Sequence, residues 1–179
     1  MAHFCELDKD PFVAARKTTP ARILRTIVVA NQDCIGPDGF EDEATGIAYC
    51  KDLLGGHWIQ TSYNRRFRYR FGSIDGWWDG TGFYSPQDFP SWTLNKDTSD
   101  PETAYRWQAP TPKPNVYTEG HHSWDEDTLT WVRGAPPSWT WNGDLDVFRF
   151  EPPVARPADL NGDGSNYVWD EEGQAWNPA

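Results

Sequence analysis

Trp124-Asp-Glu-Asp-Thr-Leu-Thr-Trp131 and Trp169-Asp-Glu-Glu-Gly-Gln-Ala-Trp176 are two copies of one pattern. In each, tryptophans stand seven residues apart, an Asp-Glu pair follows the first, and proline comes soon after the second (Pro136-Pro137 and Pro178). Two tryptophans so spaced, across a polar turn, meet as a cross-strand pair on one face of a β-hairpin. Looser copies run from Trp92 to Trp107, and from Trp139 and Trp141 to Phe148 and Phe150, each followed by prolines. A cross-strand pair contributes on the order of 0.2–1 kcal/mol, and an isolated hairpin is marginal in water. Four such hairpins therefore either pack on one another or drape over a partner.

Composition supports a folded but loop-rich chain. Leu, Ile, Val and Phe make up only about 17% of the residues, below the roughly 20% at which a highly charged chain is suspected of disorder. The net charge of −11 points the same way, but 11 Trp and 7 Tyr supply the large apolar groups that disordered chains lack. The tryptophans are unevenly placed. Residues 1–57 have none, and residues 71–179 carry 18 acids against 6 bases. We therefore expect two domains, 1–72 and 73–179.

The first reads as a small α+β unit. His3–Leu7 and Ile23–Val29 are strand candidates, the second rich in β-branched residues. Asp8–Ala21 is a long connection and Pro37-Asp38-Gly39 a turn. Glu41–Leu54 has acids in its first turn, Ile47, Cys50 and Leu54 at helical spacing, and Gly55-Gly56 to stop it. Trp58–Tyr63 is the strand that follows, so the predicted order is β-β-α-β, with the helix packed on the sheet. The second domain is expected to be an extended arm of short hairpins.

Several function classes are disfavoured. No apolar run approaches the roughly 20 residues of a membrane span, and the acids in the first ten residues argue against a secretory signal. Cys5, Cys34 and Cys50 are scattered, without a CxxC spacing, and read as reduced thiols. No HExxH, GxSxG or P-loop occurs, so no enzyme is expected. His121-His122 are adjacent and would point to opposite faces of a strand, which disfavours joint metal ligation. The acidic balance argues against nucleic acid. Residues 159–170 match the opening of a calcium loop. The ligands would be the side chains of Asp159, Asn161, Asp163 and Asp170 and the carbonyl of Ser165. Pro157 opposes a preceding helix, and the competing reading is a surface turn. No other cofactor is expected.

Arg65, Arg66, Arg68 and Arg70 alternate with aromatic residues over most of 65–71. On a strand, one face would be largely Arg. The favoured reading pairs them with acidic segments or a neighbouring subunit, and the alternative is an anion or nucleic-acid contact. Trp92, Trp107, Trp124, Trp131, Trp139, Trp141, Trp169 and Trp176 are the candidate partner-binding residues. Exposed Trp pairs also suit sugar faces, which leaves a host-glycan adhesion module as an alternative.

Met1–Phe4 with Glu6-Leu7-Asp8, Ile27–Asn31 with Asp33-Cys34, Glu43–Cys50 with Leu54-Gly55-Gly56, Trp58–Asn64, Phe89–Leu94 and the Trp-Asp-Glu…Trp repeats carry a resemblance. Over about two-thirds of its length the chain resembles short, uncharacterised virion structural proteins of marine and cyanobacterial tailed bacteriophages. It departs from them at 9–21 and 138–164. The resemblance implies a non-enzymatic, multi-copy virion component made in the host cytoplasm, with other virion proteins as partners. Its expected post is capsid decoration or cement, the alternative being a tail fibre, baseplate or adaptor.

Overall fold

A computed structural model describes residues 1–144, 147–158 and 167–179. The chain is α+β and strand-rich, built from small antiparallel sheets with few helices. It divides into two compact units, Met1–Gln108 and Ala109–Ala179. No described helix is long and apolar enough to cross a membrane.

In the first unit, β1 (Ala2–Leu7), β2 (Ala21–Val29), α1 (Glu43–Leu54) and β3 (His57–Thr61) follow in order, with 3-10 turns at Ala14–Lys17 and Asn31–Cys34. These strands do not complete the sheet. Strands β4 (Trp77–Trp78) and β5 (Phe83–Tyr84) join it, giving the order β3-β1-β2-β4-β5, antiparallel throughout. The compact unit accordingly continues past the composition break near residue 72, because Ala21 and Arg22 pair with Trp78 and Trp77.

Both faces of the sheet are covered. Ala2, Phe4, Val29 and Trp58 pack with Cys34 and with Cys50 of the helix, while Cys5, Leu7, Ala21, Ile23, Ile59, Trp78 and Phe83 form a second cluster. Strand β2 serves both layers with odd-numbered residues, Ile23 in one and Val29 in the other. A bulge makes this work. Glu6 pairs with Arg25 but Leu7 with Ile23, so Leu24 is skipped and the parity of β2 reverses. The helix begins two residues later than the expected Glu41. Asp42 is its N-cap and accepts from Thr45 N at 2.7 Å. Its buried face is Gly46 and Cys50 rather than Leu54, which is 39% exposed. A Cβ on Gly46 would lie 2.2 Å from the Phe4 ring, so glycine lets the helix close on the sheet.

Residues 65–71 are not a strand, contrary to the alternation in the sequence. Arg65, Arg68 and Tyr69 take positive φ (54°, 59° and 61°), which curls the segment into a compact loop. The loop guards the β3 edge. Glu43 accepts from Gln60 N at 2.9 Å, Arg68 donates to Gln60 O at 2.6 Å, and the two side chains pair with each other at 2.7 and 2.9 Å. An ion pair thus occupies the backbone positions another strand would take.

Strands β6 (Thr93–Leu94) and β7 (Trp107–Gln108) make a hairpin at the end of the first unit. Buried Asp79 ties it to the sheet. Its carboxylate accepts from Thr81 N, Gly82 N, Tyr105 Oη and Lys96 Nζ, the last at 2.7 Å. The described residues of the second unit form a short helix α2 (Val116–Glu119) and three hairpins: β8 (His122–Asp125) with β9 (Thr130–Arg133), β10 (Thr140–Asn142) with β11 (Arg149–Glu151), and β12 (Tyr167–Asp170) with β13 (Ala175–Pro178). Trp124 is the only large apolar residue among its described residues that is buried.

Candidate functional site

The Trp-Asp-Glu repeat has a geometric meaning at every position. Trp124 pairs with Trp131 and Trp169 with Trp176 across their hairpins. The rings meet edge-to-face, with centroids 5.3 Å apart in both and interplanar angles of 68° and 69°. The Asp accepts backbone N–H groups of the turn, from Asp127 and Thr128 in the first copy and from Glu172 in the second. The Glu accepts the first indole's N–H at 2.8 Å, Trp124 to Glu126 and Trp169 to Glu171. The residue before the second strand, Leu129 or Gln174, has positive φ (53° and 46°). Hydrogen bonds from the Thr128 amide and side chain hold the Asp125 carboxyl below the usual range, and the Trp169 indole does the same to Glu171.

The looser copies pair differently from the sequence expectation. Trp141 faces Phe150, with centroids 5.0 Å apart, while Trp107 faces Leu94 rather than Trp92. Trp92 lies before its strand and packs on Phe89 at 5.0 Å. Trp139 also precedes its strand and packs on both Trp169 and Trp176, at 5.9 Å each.

In three of the hairpins the second tryptophan clamps an upstream strap of chain, and in β10–β11, where Phe150 takes that place, Trp141 Nε1 donates instead to Tyr117 O at 3.1 Å. Trp107 Nε1 donates to Ser85 O at 2.9 Å, Trp131 Nε1 to Thr111 O at 3.1 Å, and Trp176 Nε1 to Val154 O at 3.0 Å. Two residues beyond the acceptor, a cation sits over the same indole: Lys113 at 5.3 Å from the Trp131 centroid and Arg156 at 5.1 Å from that of Trp176. Proline flanks each acceptor, at Pro86, Pro112 and Pro153. Pro112 and Pro153, which follow one hairpin copy in the sequence, therefore flank the strap under the next hairpin. The signal was present in Thr111-Pro-Lys-Pro and Val154-Ala-Arg-Pro, which share a base before proline at the same offset.

Beside the last clamp lies a groove of about 530 Å³, lined by Trp139, Phe150 and Trp176 with Arg149, Arg156 and Glu151. Its aromatic rings are largely engaged within the chain, Phe150 by the Arg133 guanidinium 4.3 Å from its centroid and Trp176 by Arg156 and Trp139. A sugar platform needs an open ring face.

The candidate arginines are mostly committed to the chain itself. Arg68 pairs with Glu43, Arg65 approaches Glu102 at 3.5 Å, and Arg70 donates to the Ala104 and Glu102 carbonyls at 2.8 and 2.6 Å. Arg66 offers its backbone N–H to Ser62 Oγ while its side chain is exposed. Four of the proposed calcium ligands, Asp159, Asn161, Asp163 and Ser165, lie outside the described residues. Asp170 belongs to the hairpin turn. Among the described residues, no group of three or more His, Cys, Asp or Glu side chains converges on a metal position. All three thiols are free and buried, and burial pushes Cys5 up to about 12 and Cys50 to about 11, which keeps them protonated at neutral pH.

Comparison of the chain with family models, curated proteins and solved structures yields no match.

Proposed function

We propose that this protein is a non-enzymatic structural component of a tailed-phage virion, a decoration or cement protein that bridges neighbouring capsid subunits. The β-β-α-β segment and the strands added to it act as the folded hub, and the strap–hairpin modules act as adhesive arms. One observation carries the reading. The second unit presents its aromatic residues as half-buried pairs on successive two-stranded hairpins with almost no interior of their own. Such modules gain most when a partner covers their remaining aromatic surface, and Trp is a preferred interface anchor. The acidic chain, at −11, keeps assembled particles apart. The engaged ring faces of Phe150 and Trp176 favour this over glycan adhesion.

Hydrogen exchange on free protein and on virions tests it. Amides of 122–133 and 167–178 should exchange fast in the free chain and slowly on the particle. Trp124→Ala and Trp131→Ala should each lower particle occupancy, at a cost of about 2 kcal/mol or more per subunit. Wild-type occupancy together with lost binding to host polysaccharide would replace assembly by adhesion.

A further inference from the structure

The basic straps lie on the surface of the hairpins that hold them. Thr111, Pro112 and Lys113 are exposed, and so are Val154, Ala155 and Arg156. The first strap is Ala109-Pro-Thr-Pro-Lys-Pro114, with proline at every second position. Three of its six residues therefore have no backbone N–H, so it cannot join a strand ladder. Proline at alternate positions favours the extended polyproline II form. A segment extended beforehand loses little entropy on docking, and aromatic surfaces are its usual seat. Here the seat is Trp131, whose Nε1 donates to Thr111 O at 3.1 Å while Lys113 Nζ lies 5.3 Å from the ring centroid. Among the described residues Lys113 has no carboxylate partner, so the indole is the group its charge faces.

The seat is transferable. Trp176 holds Val154 O at 3.0 Å and Arg156 at 5.1 Å in the same way, on a strap of different sequence. What the two seats share is a carbonyl beside proline and a base two residues later. The first strap also has a particular place in the chain. It opens the second compact unit, which begins at Ala109, and it ends just before Asn115, the N-cap of α2. It is therefore a stiff, proline-rich junction laid over the outside of its hairpin. A hydrogen bond to a neutral carbonyl and an exposed cation–π contact are each weak. Tethering adds to their hold, because a short tether presents its segment at an effective concentration on the order of millimolar. The same strap on another copy offers identical contacts and lacks only the tether.

We propose that two copies of this chain exchange the strap at 109–114, each seating its Thr111 carbonyl and Lys113 on the other's Trp131. The exchange conserves the contacts of the seat and closes a two-fold pair, a low-cost route to a dimer. The proposal does not rest on virion assembly, and it is tested on the free full-length chain. Sedimentation equilibrium should show a monomer that becomes a dimer as the concentration approaches roughly millimolar, the range set by the tether. A nitroxide on Thr111→Cys then marks the strap. The position is exposed, the backbone carbonyl is kept, and the native thiols are buried. Mixed with untagged chain carrying isotope-labelled tryptophan, the tagged copy should broaden the Trp131 Nε1–H resonance at high concentration and not on dilution. Adding Lys113→Glu to the tagged copy should remove most of that broadening, because its strap then competes poorly with unmodified straps for the same indole. If the tagged variant does not fold, the hexapeptide Ala-Pro-Thr-Pro-Lys-Pro with a nitroxide at its N-terminus takes its place. A chain that stays monomeric at millimolar concentration, a dimer in which Trp131 is not broadened, or broadening unchanged by Lys113→Glu would overturn the proposal.

Discussion

The first unit holds Phe4 and Trp58 at zero exposure between a sheet and a helix, and Phe83 and Ile59 at zero exposure on the opposite face. The second leaves Trp169 and Trp176 half-buried on a hairpin and compensates with geometry. There the indole N–H groups find a Glu or a strap carbonyl, and the rings meet edge-to-face. A layered core concentrates stability in volume, so it answers to packing. A chain of hairpins distributes stability over polar contacts and ring pairs, so each module answers to its own hydrogen bonds. The comparison accounts for the composition. Every described Leu, Ile or Val that is buried, namely Leu7, Ile23, Val29 and Ile59, lies in the first unit, whereas Leu129, Val132, Val154 and Val168 of the second are exposed and the later chain relies on aromatic residues that carry a polar handle.

The largest expected effect is in the first unit. Phe4→Ala should cost about 3–5 kcal/mol, the usual range for emptying a fully buried aromatic site. Chemical denaturation of the full chain followed at Trp58 and at hairpin probes should show the loss in the sheet transition alone. A parallel loss in β12–β13 protection would mean that the two units unfold as one.

Gly46→Ala comes next and has a sign opposite to helix propensity. Alanine in a helix interior normally stabilises by about 0.5–1 kcal/mol relative to glycine. Here its Cβ would meet the Phe4 ring at 2.2 Å, and that ring is fully buried. We expect a net destabilisation of about 1–3 kcal/mol, the cost of overpacking. A stabilised variant would show that the helix can shift away from the sheet.

Trp176→Phe keeps a ring in the pair but removes the N–H to Val154 O. The expected cost is about 1 kcal/mol, one net hydrogen bond, with faster exchange confined to 167–178. Exchange spreading to β8–β9 would refute independent modules.

The smallest effect is a pH dependence. Glu171 is held below the usual carboxylate range, chiefly by the Trp169 indole N–H and further by Ser138. Because the folded-state value is the lower one, the stabilisation is complete above the ordinary glutamate range. It disappears as pH falls through the depressed folded value. The Trp169 Nε1–H resonance should report that titration, and Glu171→Gln should abolish it. An inflection at an ordinary glutamate pH would show the carboxylate to be free.

Local pattern alone was enough to read the paired tryptophans at 124/131 and 169/176, the strands near 2–7, 21–29 and 57–61, and the helix ending at Gly55. Each depends on residues within a few positions of one another: a period of two, a period near 3.6, a turn-forming Asp, a glycine stop. Other features needed distant parts of the chain. The parity change in β2 is created by its register with β1, not by its own sequence. The basic run curls because Glu43, Gln60 and the 101–104 segment supply partners for its guanidinium groups. Trp107 faces Leu94 because the turn between them places Asn95 against Arg106 and Tyr105, and the bond from Tyr105 to Asp79 holds that turn against the sheet. The straps at Ser85, Thr111 and Val154 acquire their role only when an indole 20 or 22 residues later arrives over them. Arg16 follows the same logic. In sequence it is one base beside another, and only the folding of residues 11–17 over β4 and its turn removes it from water, with no counter-charge among the described residues.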